Sequence, residues 1–466
     1  MTVSTTLAQA AYLPAARARP RRSEGRRRLL FVLLALAHAL ICRFIQDKVL
    51  ADSGVFEYMG LHWLPANLAQ EVIFLILAVA PALLFVPVRL TRGSDLLLII
   101  IYGTVYVPTT ALFPNVVSGG VTPAFWLTLI CFAGLWLAAT LARFEPGGTG
   151  GRLAMADNRY DLLLFGAASA VMASYLAFVP IQVIELDLTR VYEFRASFGD
   201  QMSKLSPILL YVFVNSALAL SPIMIVRGIL RRNWLMVLLA FGLTYYTFAV
   251  TSYRSMLFVA LFVAALTVLS RTRLSVAISI FGFFVAVAAA VVGLDALSHA
   301  DVPANTFAVH YRLFGNSATI TSAYLDIFSS HPKFYYSQSF MRLFIRPPTE
   351  IPYPLLVGHE ISTVQNVWAN GNMVADAFAN LGYAGVLLTF VALGLFLCAY
   401  NHLTLAKDRV VAALTLVAPG FYLSNGGLQS AVLSGGLGVT VLLMLIYPNS
   451  PAPTVRLLGS DEAAPI

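Results

Sequence analysis

The sequence predicts an all-α, polytopic transmembrane bundle of about 12 spans with one long extracytoplasmic loop that carries short interfacial helices. Three observations predict it. Of 466 residues, 59% are hydrophobic and only 11% charged, where a soluble domain carries roughly a quarter charged residues. Apolar runs of about 20 residues, the length that crosses a bilayer, recur along the chain. Four of the seven histidines, together with arginines, carboxylates and many aromatics, are gathered in one long stretch without an apolar run, 295–383.

In chain order, residues 1–28 form a basic leader that includes Arg21, Arg22, Arg26, Arg27 and Arg28. The apolar run that follows has no small-residue cleavage site after it, so it is expected to stay as a signal anchor. Region 29–294 holds about nine helices, near 29–46, 69–89, 95–113, 123–142, 161–182, 208–227, 233–251, 254–269 and 274–294. The polar stretch 295–383 comes next, then three runs within 384–447 (384–402, 409–424 and 428–446) and a tail, 448–466.

Cytoplasmic flanks of transmembrane helices are enriched in Lys and Arg. With the N-terminus inside, the inner segments hold 20 Lys and Arg against 8 Asp and Glu, and the outer ones 10 against 14. The chain is therefore expected in an inner (cytoplasmic) membrane with both termini cytoplasmic. The net charge of +8 follows from this bias and from anionic headgroups, and does not call for nucleic acid. Cys42, Cys131 and Cys398 fall far apart inside predicted spans without CxxC spacing, so they read as core residues. No metal ligand set is expected.

A stretch of this length without a long apolar run exceeds a plain connector. It carries His299, His310, His331 and His359, several arginines and carboxylates, and many aromatics, which suit interfacial helices and sugar-stacking surfaces alike. Residues 324–328 read as helix ended by His331-Pro332, and 334–344 as an amphipathic helix on the membrane surface. The proline-rich run 346–354 reads as a rigid extended segment. A second outer loop, 183–207, is placed to close over the first.

Arg254, between two apolar runs at the outer end, departs from the charge rule. It is either a side chain snorkelling to headgroups or a guanidinium matched to a phosphate. Arg312, Arg342 and Arg346 extend the second reading, since several cations facing one leaflet can share a diphosphate. His331, His359, Glu350, Glu360 and Asp376 are the candidates for proton transfer. The Asn-rich segment 365–385 suits turns and caps, and its amides also suit sugar hydroxyls. There is no GxxxxGK[ST], GxGxxG or GxSxG, which disfavours a nucleotide-driven pump or a serine hydrolase.

Ser252-Tyr253-Arg254, Arg312-Leu313-Phe314, Tyr324 to Phe328 with His331-Pro332, and Asp376-Ala377-Phe378-Ala379-Asn380-Leu381-Gly382-Tyr383-Ala384-Gly385 together resemble the bacterial O-antigen and exopolysaccharide repeat-unit polymerases, the Wzy-type family. The order Arg346-Pro347-Pro348 departs from that pattern. The resemblance implies a nucleotide-sugar-independent membrane glycosyltransferase, without a cofactor, that polymerises undecaprenyl-diphosphate-linked oligosaccharides at the outer leaflet. It implies Arg254, Arg312, Arg342 and Arg346 for the diphosphate, His331 or Glu350 as base, and Asn370, Asn372, Asp376 and Asn380 toward sugar. Expected partners are the lipid-linked substrate, membrane lipids and a chain-length regulator. A ligase-like glycosyltransferase is the nearest alternative, and a transporter ranks third.

Overall fold

The structure is a computed structural model that describes residues 22–53, 63–144, 153–178, 207–251, 254–272, 275–298, 302–362 and 367–450. Helices dominate, and no strand occurs among the described residues. Lipid offers no hydrogen bonds, so a spanning backbone must satisfy its own polar groups, which helices do.

The elements are α1 (Arg22–Phe44), α2 (Leu68–Leu84), α3 (Asp95–Ile101), α4 (Val107–Val116), α5 (Val121–Leu141), α6 (Asp157–Phe178), α7 (Pro207–Asn215), α8 (Ser221–Arg231), α9 (Trp234–Thr251), α10 (Arg254–Leu269) and α11 (Val276–Ser298). Then come α12 (Asn316–Ser330), α13 (Tyr353–Ile361), α14 (Met373–Leu403), α15 (Arg409–Leu414), α16 (Val417–Tyr422), α17 (Leu428–Leu433) and α18 (Leu437–Leu445). Wide π-turns extend α1 over Ile45–Leu50, join α3 to α4 over Tyr102–Tyr106, join α7 to α8 over Ser216–Leu220, and lead into α12 over Thr306–Gly315.

Seven helical stretches among the described residues are long and apolar enough to cross a membrane, and four shorter apolar helices accompany them. Together they form an all-helical bundle of the multi-pass membrane class. Its core is built around Asp95–Val116, which is buried along its whole apolar window and packed by α1, α2 and α12. Outer faces carry exposed Leu33, Ile76, Trp126, Leu162, Leu238 and Leu395, the apolar surface that lipid requires. Close approach of helices relies on small residues, as is usual in membranes. At the α5–α14 contact, a Cβ on Gly394 would lie 2.8 Å from the Ala138 Cα, and one on Gly134 would lie 2.5 Å from the Phe390 ring.

Three expectations are corrected. Residues 334–344 are not an amphipathic helix but a series of turns with one short 3-10 turn at Phe340–Leu343. Tyr335 and Tyr336 there take left-handed φ angles of 51° and 55°, which no helix allows. Residues 428–446 are not one continuous helix: α17 and α18 are separated at Gly435-Gly436, where Gly436 has φ 87°. The last proline-rich residues enter α13 rather than staying extended. The polar stretch also contributes to the bundle itself, since His310, Tyr311, Phe314 and nearly all of 317–325 are buried, and Tyr324 to Phe328 lie in α12, which ends at His331 as expected. The loop 183–207 lies almost wholly outside the described residues.

Replacing Gly394 by Val is expected to destabilise the bundle by about 1–3 kcal/mol through overpacking against α5. The thermal unfolding midpoint of the purified protein checks this, with the exposed Leu395→Val change on the same helix leaving it unmoved.

Candidate functional site

The site is organised by the start of α14. Asn372 is its N-cap, and its Oδ1 accepts from the amides of Val374 (2.9 Å) and Ala375 (3.1 Å), satisfying donors that a helix start leaves unpaired. Its Nδ2 donates to Ser317 Oγ (2.7 Å) and Thr321 Oγ1 (2.9 Å) on α12. One buried amide therefore begins α14 and fastens it to α12.

One turn on, Asp376 is buried. Its carboxylate accepts from the Tyr353 hydroxyl and from Gln429 Nε2 (2.9 Å), and Gly427 lies against it so closely that a Cβ there would sit 2.3 Å from Oδ2. Burial first, and then the adjacent carboxylate, push the Tyr353 phenol up, so the hydroxyl keeps its proton and acts as the donor. No ion pair to Asp376 occurs among the described residues.

α14 breaks at Leu381 and Gly382, the latter with φ 63° and ψ −147°, a conformation glycine adopts without a steric penalty. The break deprives the preceding carbonyls of helical partners. Loop amides take their place: Phe334 N donates to Ala379 O (3.1 Å), Tyr335 N to Asn380 O (3.0 Å) and Tyr336 N to Asn380 Oδ1 (2.7 Å). These three bonds hold the left-handed tyrosines and explain why 334–344 is not helical. Gln338 then accepts from Tyr353 N (3.0 Å) and donates to Ile351 O (2.8 Å), closing the proline-rich turn back onto α13.

Asp376, Asn380, Tyr336, Tyr353 and Gln429 are thus brought together. Asn372, Asp376 and Asn380, expected toward sugar, are buried and engaged within the protein, whereas Asn370 is exposed. Arg342, Arg346 and Glu350 are exposed on the turn between Phe340 and α13, and neither arginine makes an ion pair among the described residues. Arg312 is also exposed and lies 5.3 Å over the Phe307 ring. Arg254 opens α10, but its side chain lies outside the described residues.

His331 is exposed, and its Nδ1 lies 2.9 Å from the Ile327 carbonyl oxygen. A carbonyl only accepts, so Nδ1 carries the proton in the neutral ring and Nε2 keeps its lone pair. His359 and Glu360 are exposed on α13. Asp326 is spent on Ser118 N (3.0 Å), Ser118 Oγ (2.6 Å) and Gly119 N (2.9 Å).

Sequence reasoning did not single out Lys333, Tyr336, Tyr353 or Gln429 for these roles. Lys333 lies 4.3 Å over the Phe378 ring and donates to the Phe328 carbonyl, and burial pulls its ammonium below the usual range. Gln429 was signalled only by the turn-forming Ser424-Asn425-Gly426-Gly427 just before it. Among the described residues no group of three or more His, Cys, Asp or Glu side chains is placed to hold a metal ion.

Comparison with known protein families, with curated proteins and with solved structures finds no match for this chain.

Asn372→Ala removes the cap and the amide that donates to the Ser317 and Thr321 hydroxyls, which keep Thr109 Oγ1 and the Ser317 carbonyl as partners, and is expected to cost on the order of 1–2 kcal/mol. Hydrogen exchange should accelerate across 373–380 in that variant and stay unchanged in Asn370→Ala.

Proposed function

We propose that this chain is an inner-membrane glycosyltransferase that polymerises undecaprenyl-diphosphate-linked oligosaccharide repeats on the non-cytoplasmic side, with about twelve crossings and both termini cytoplasmic. The seven long helices, the four shorter ones and the broken Leu428–Leu445 segment support that count. One observation carries the functional reading: Asp376, Asn380 and Gly382 of the family-like motif each have a distinct job in docking one polar loop over the start of α14. That loop carries Arg342, Arg346, Glu350 and His331 in exposed positions.

In this reading a hydroxyl of one lipid-linked unit attacks the anomeric carbon of the growing chain. The bond from that carbon to the diphosphate oxygen breaks, and undecaprenyl diphosphate leaves. Arg342 and Arg346, with Arg254 and Arg312, stabilise the charge on the leaving group. His331 Nε2, or else Glu350, receives the hydroxyl proton. Asp376 acts at one remove by holding Tyr353 and the loop, and among the four residues first assigned to sugar the exposed Asn370 is the one left to meet hydroxyls.

A transporter is the second reading, because ionisable groups and helix breaks occur inside the bundle, as transport pathways often require. His38 and His310 are buried on either side of Cys42, at 3.8 and 3.7 Å from its sulfur, and the last apolar runs are divided into α15 to α18.

Cells lacking the protein should accumulate single repeats on the lipid carrier on the non-cytoplasmic side. A ligase would instead leave unattached full-length polymer, and a transporter would leave carriers on the cytoplasmic side. Arg254→Ala should abolish polymer with normal membrane insertion, and Arg342→Ala with Arg346→Ala should lower polymer yield by on the order of 10²-fold. Wild-type polymer lengths in these variants would refute the assignment.

A further inference from the structure

At the end of α14 far from Asp376, the helix meets the turn before α3 and the start of α15 around a cavity of about 80 Å³. Arg92, His402 and Arg409 line it together with Thr91, Asn401 and Phe144. We propose that this cavity binds a phosphate group, at a site separate from the loop that carries Arg342 and Arg346.

The framework is fixed before any ligand arrives. Asp95 Oδ2 accepts from Thr91 N (2.6 Å), Thr91 Oγ1 (2.8 Å) and Arg92 N (2.9 Å), which pins the turn carrying Arg92. Asn401 Oδ1 accepts from Ser94 N (3.0 Å), while its Nδ2 donates to Ser94 Oγ and Ala142 O, both at 2.8 Å, so three segments are locked at the cavity floor. Asp408 caps α15 through Val410 N (2.8 Å) and Val411 N (3.3 Å), which sets where Arg409 begins the helix.

Two guanidinium groups and an imidazole are a donor set matched to a tetrahedral oxyanion. None of the lining side chains is acidic among the described residues. Among the described residues, Asp95 interacts electrostatically with Arg92 while accepting from Thr91 and the Arg92 amide, and Asp408 accepts from the amides of Val410 and Val411. His402 Nδ1 is buried and has no hydrogen-bond partner among the described residues, and protein structures rarely leave such a group unsatisfied. An anion's oxygen would satisfy it when the ring is protonated there. At about 10–15 Å³ of such space per water, the cavity has room for a phosphate group and accompanying waters.

The phosphate can come from a lipid headgroup or from a soluble molecule. Phe144 (66% exposed) and Leu405 (54% exposed), both lining the cavity, offer the apolar surface that acyl chains would use.

The purified full-length protein in detergent is assayed by native mass spectrometry for retention of phosphatidylglycerol against phosphatidylcholine, with and without millimolar inorganic phosphate. Phosphatidylglycerol should be retained preferentially, R92Q/R409Q should reduce retention about tenfold or more, and R159Q, an exposed arginine outside the cavity, should not. Competition by inorganic phosphate would show that the phosphate group suffices and point to a soluble ligand, whereas retention without competition would identify the lipid. If R92Q/R409Q does not fold, R92K/R409K keeps the charges but removes the planar fork, and should weaken retention severalfold. Retention in the folded double variant equal to that of the wild type and R159Q, with no effect of phosphate, would overturn the proposal.

Discussion

A helix that stops inside a protein leaves carbonyl oxygens in need of donors, and the candidate site is arranged around that requirement. At Leu381 and Gly382 the chain leaves helical geometry, so the carbonyls of Ala379 and Asn380 turn to the amides of Phe334 and Tyr335. Docking of the loop thereby replaces hydrogen bonds that a continuous helix would have made within itself. Two consecutive left-handed tyrosines, each costing of order 1–3 kcal/mol, persist because three amides are anchored at once. Removing the anchor would release the backbone that carries the exposed cations.

Polar residues of the same type meet opposite fates in this bundle. Arg227 is fully buried, paired with Asp161 and with Asp157 at 3.0 Å, and held 5.2 Å from the rings of both Tyr160 and Tyr447. It joins α6 and α8 to the segment after α18 and is consumed by that task. Arg342 and Arg346 have no such acidic partners among the described residues, and their charge remains open to a ligand. The asparagines divide likewise: Asn372 and Asn380 are structural because every polar atom of their amides is engaged, while Asn370 is exposed.

Much of the helical layout was legible because apolar run length has a direct physical cause, the thickness of the hydrocarbon layer. Run length does not reveal whether a helix is continuous. The segment 428–446 is apolar throughout, yet Gly435 and Gly436 divide it, and 409–424 is likewise interrupted between α15 and α16. The amphipathic pattern of 334–344 was overridden by the carbonyls exposed at a kink about 40 residues later, a long-range demand that local pattern does not encode. The motif Asp376 to Gly385 was legible as a unit, but its partners Tyr353 and Gln429 come from segments distant in sequence. Arg254 could be placed at a helix start and no further.

Four π-turns occur among the described residues, at Ile45–Leu50, Tyr102–Tyr106, Ser216–Leu220 and Thr306–Gly315. Such a turn accommodates one residue more than an α-turn, and each residue advances an α-helix by about 100°. Two of them, Tyr102–Tyr106 and Ser216–Leu220, join one α-helix to the next, and each therefore sets the rotational phase of the helix that follows it. Ile45–Leu50 and Tyr102–Tyr106 each pack against Thr306–Gly315, beside the buried group of His38, Cys42 and His310, so the phase set at Tyr102–Tyr106 is matched to neighbours that are themselves irregular. A single-residue deletion in either joining turn would leave the rod continuous but rotate the helix beyond it by about 100° relative to its neighbours.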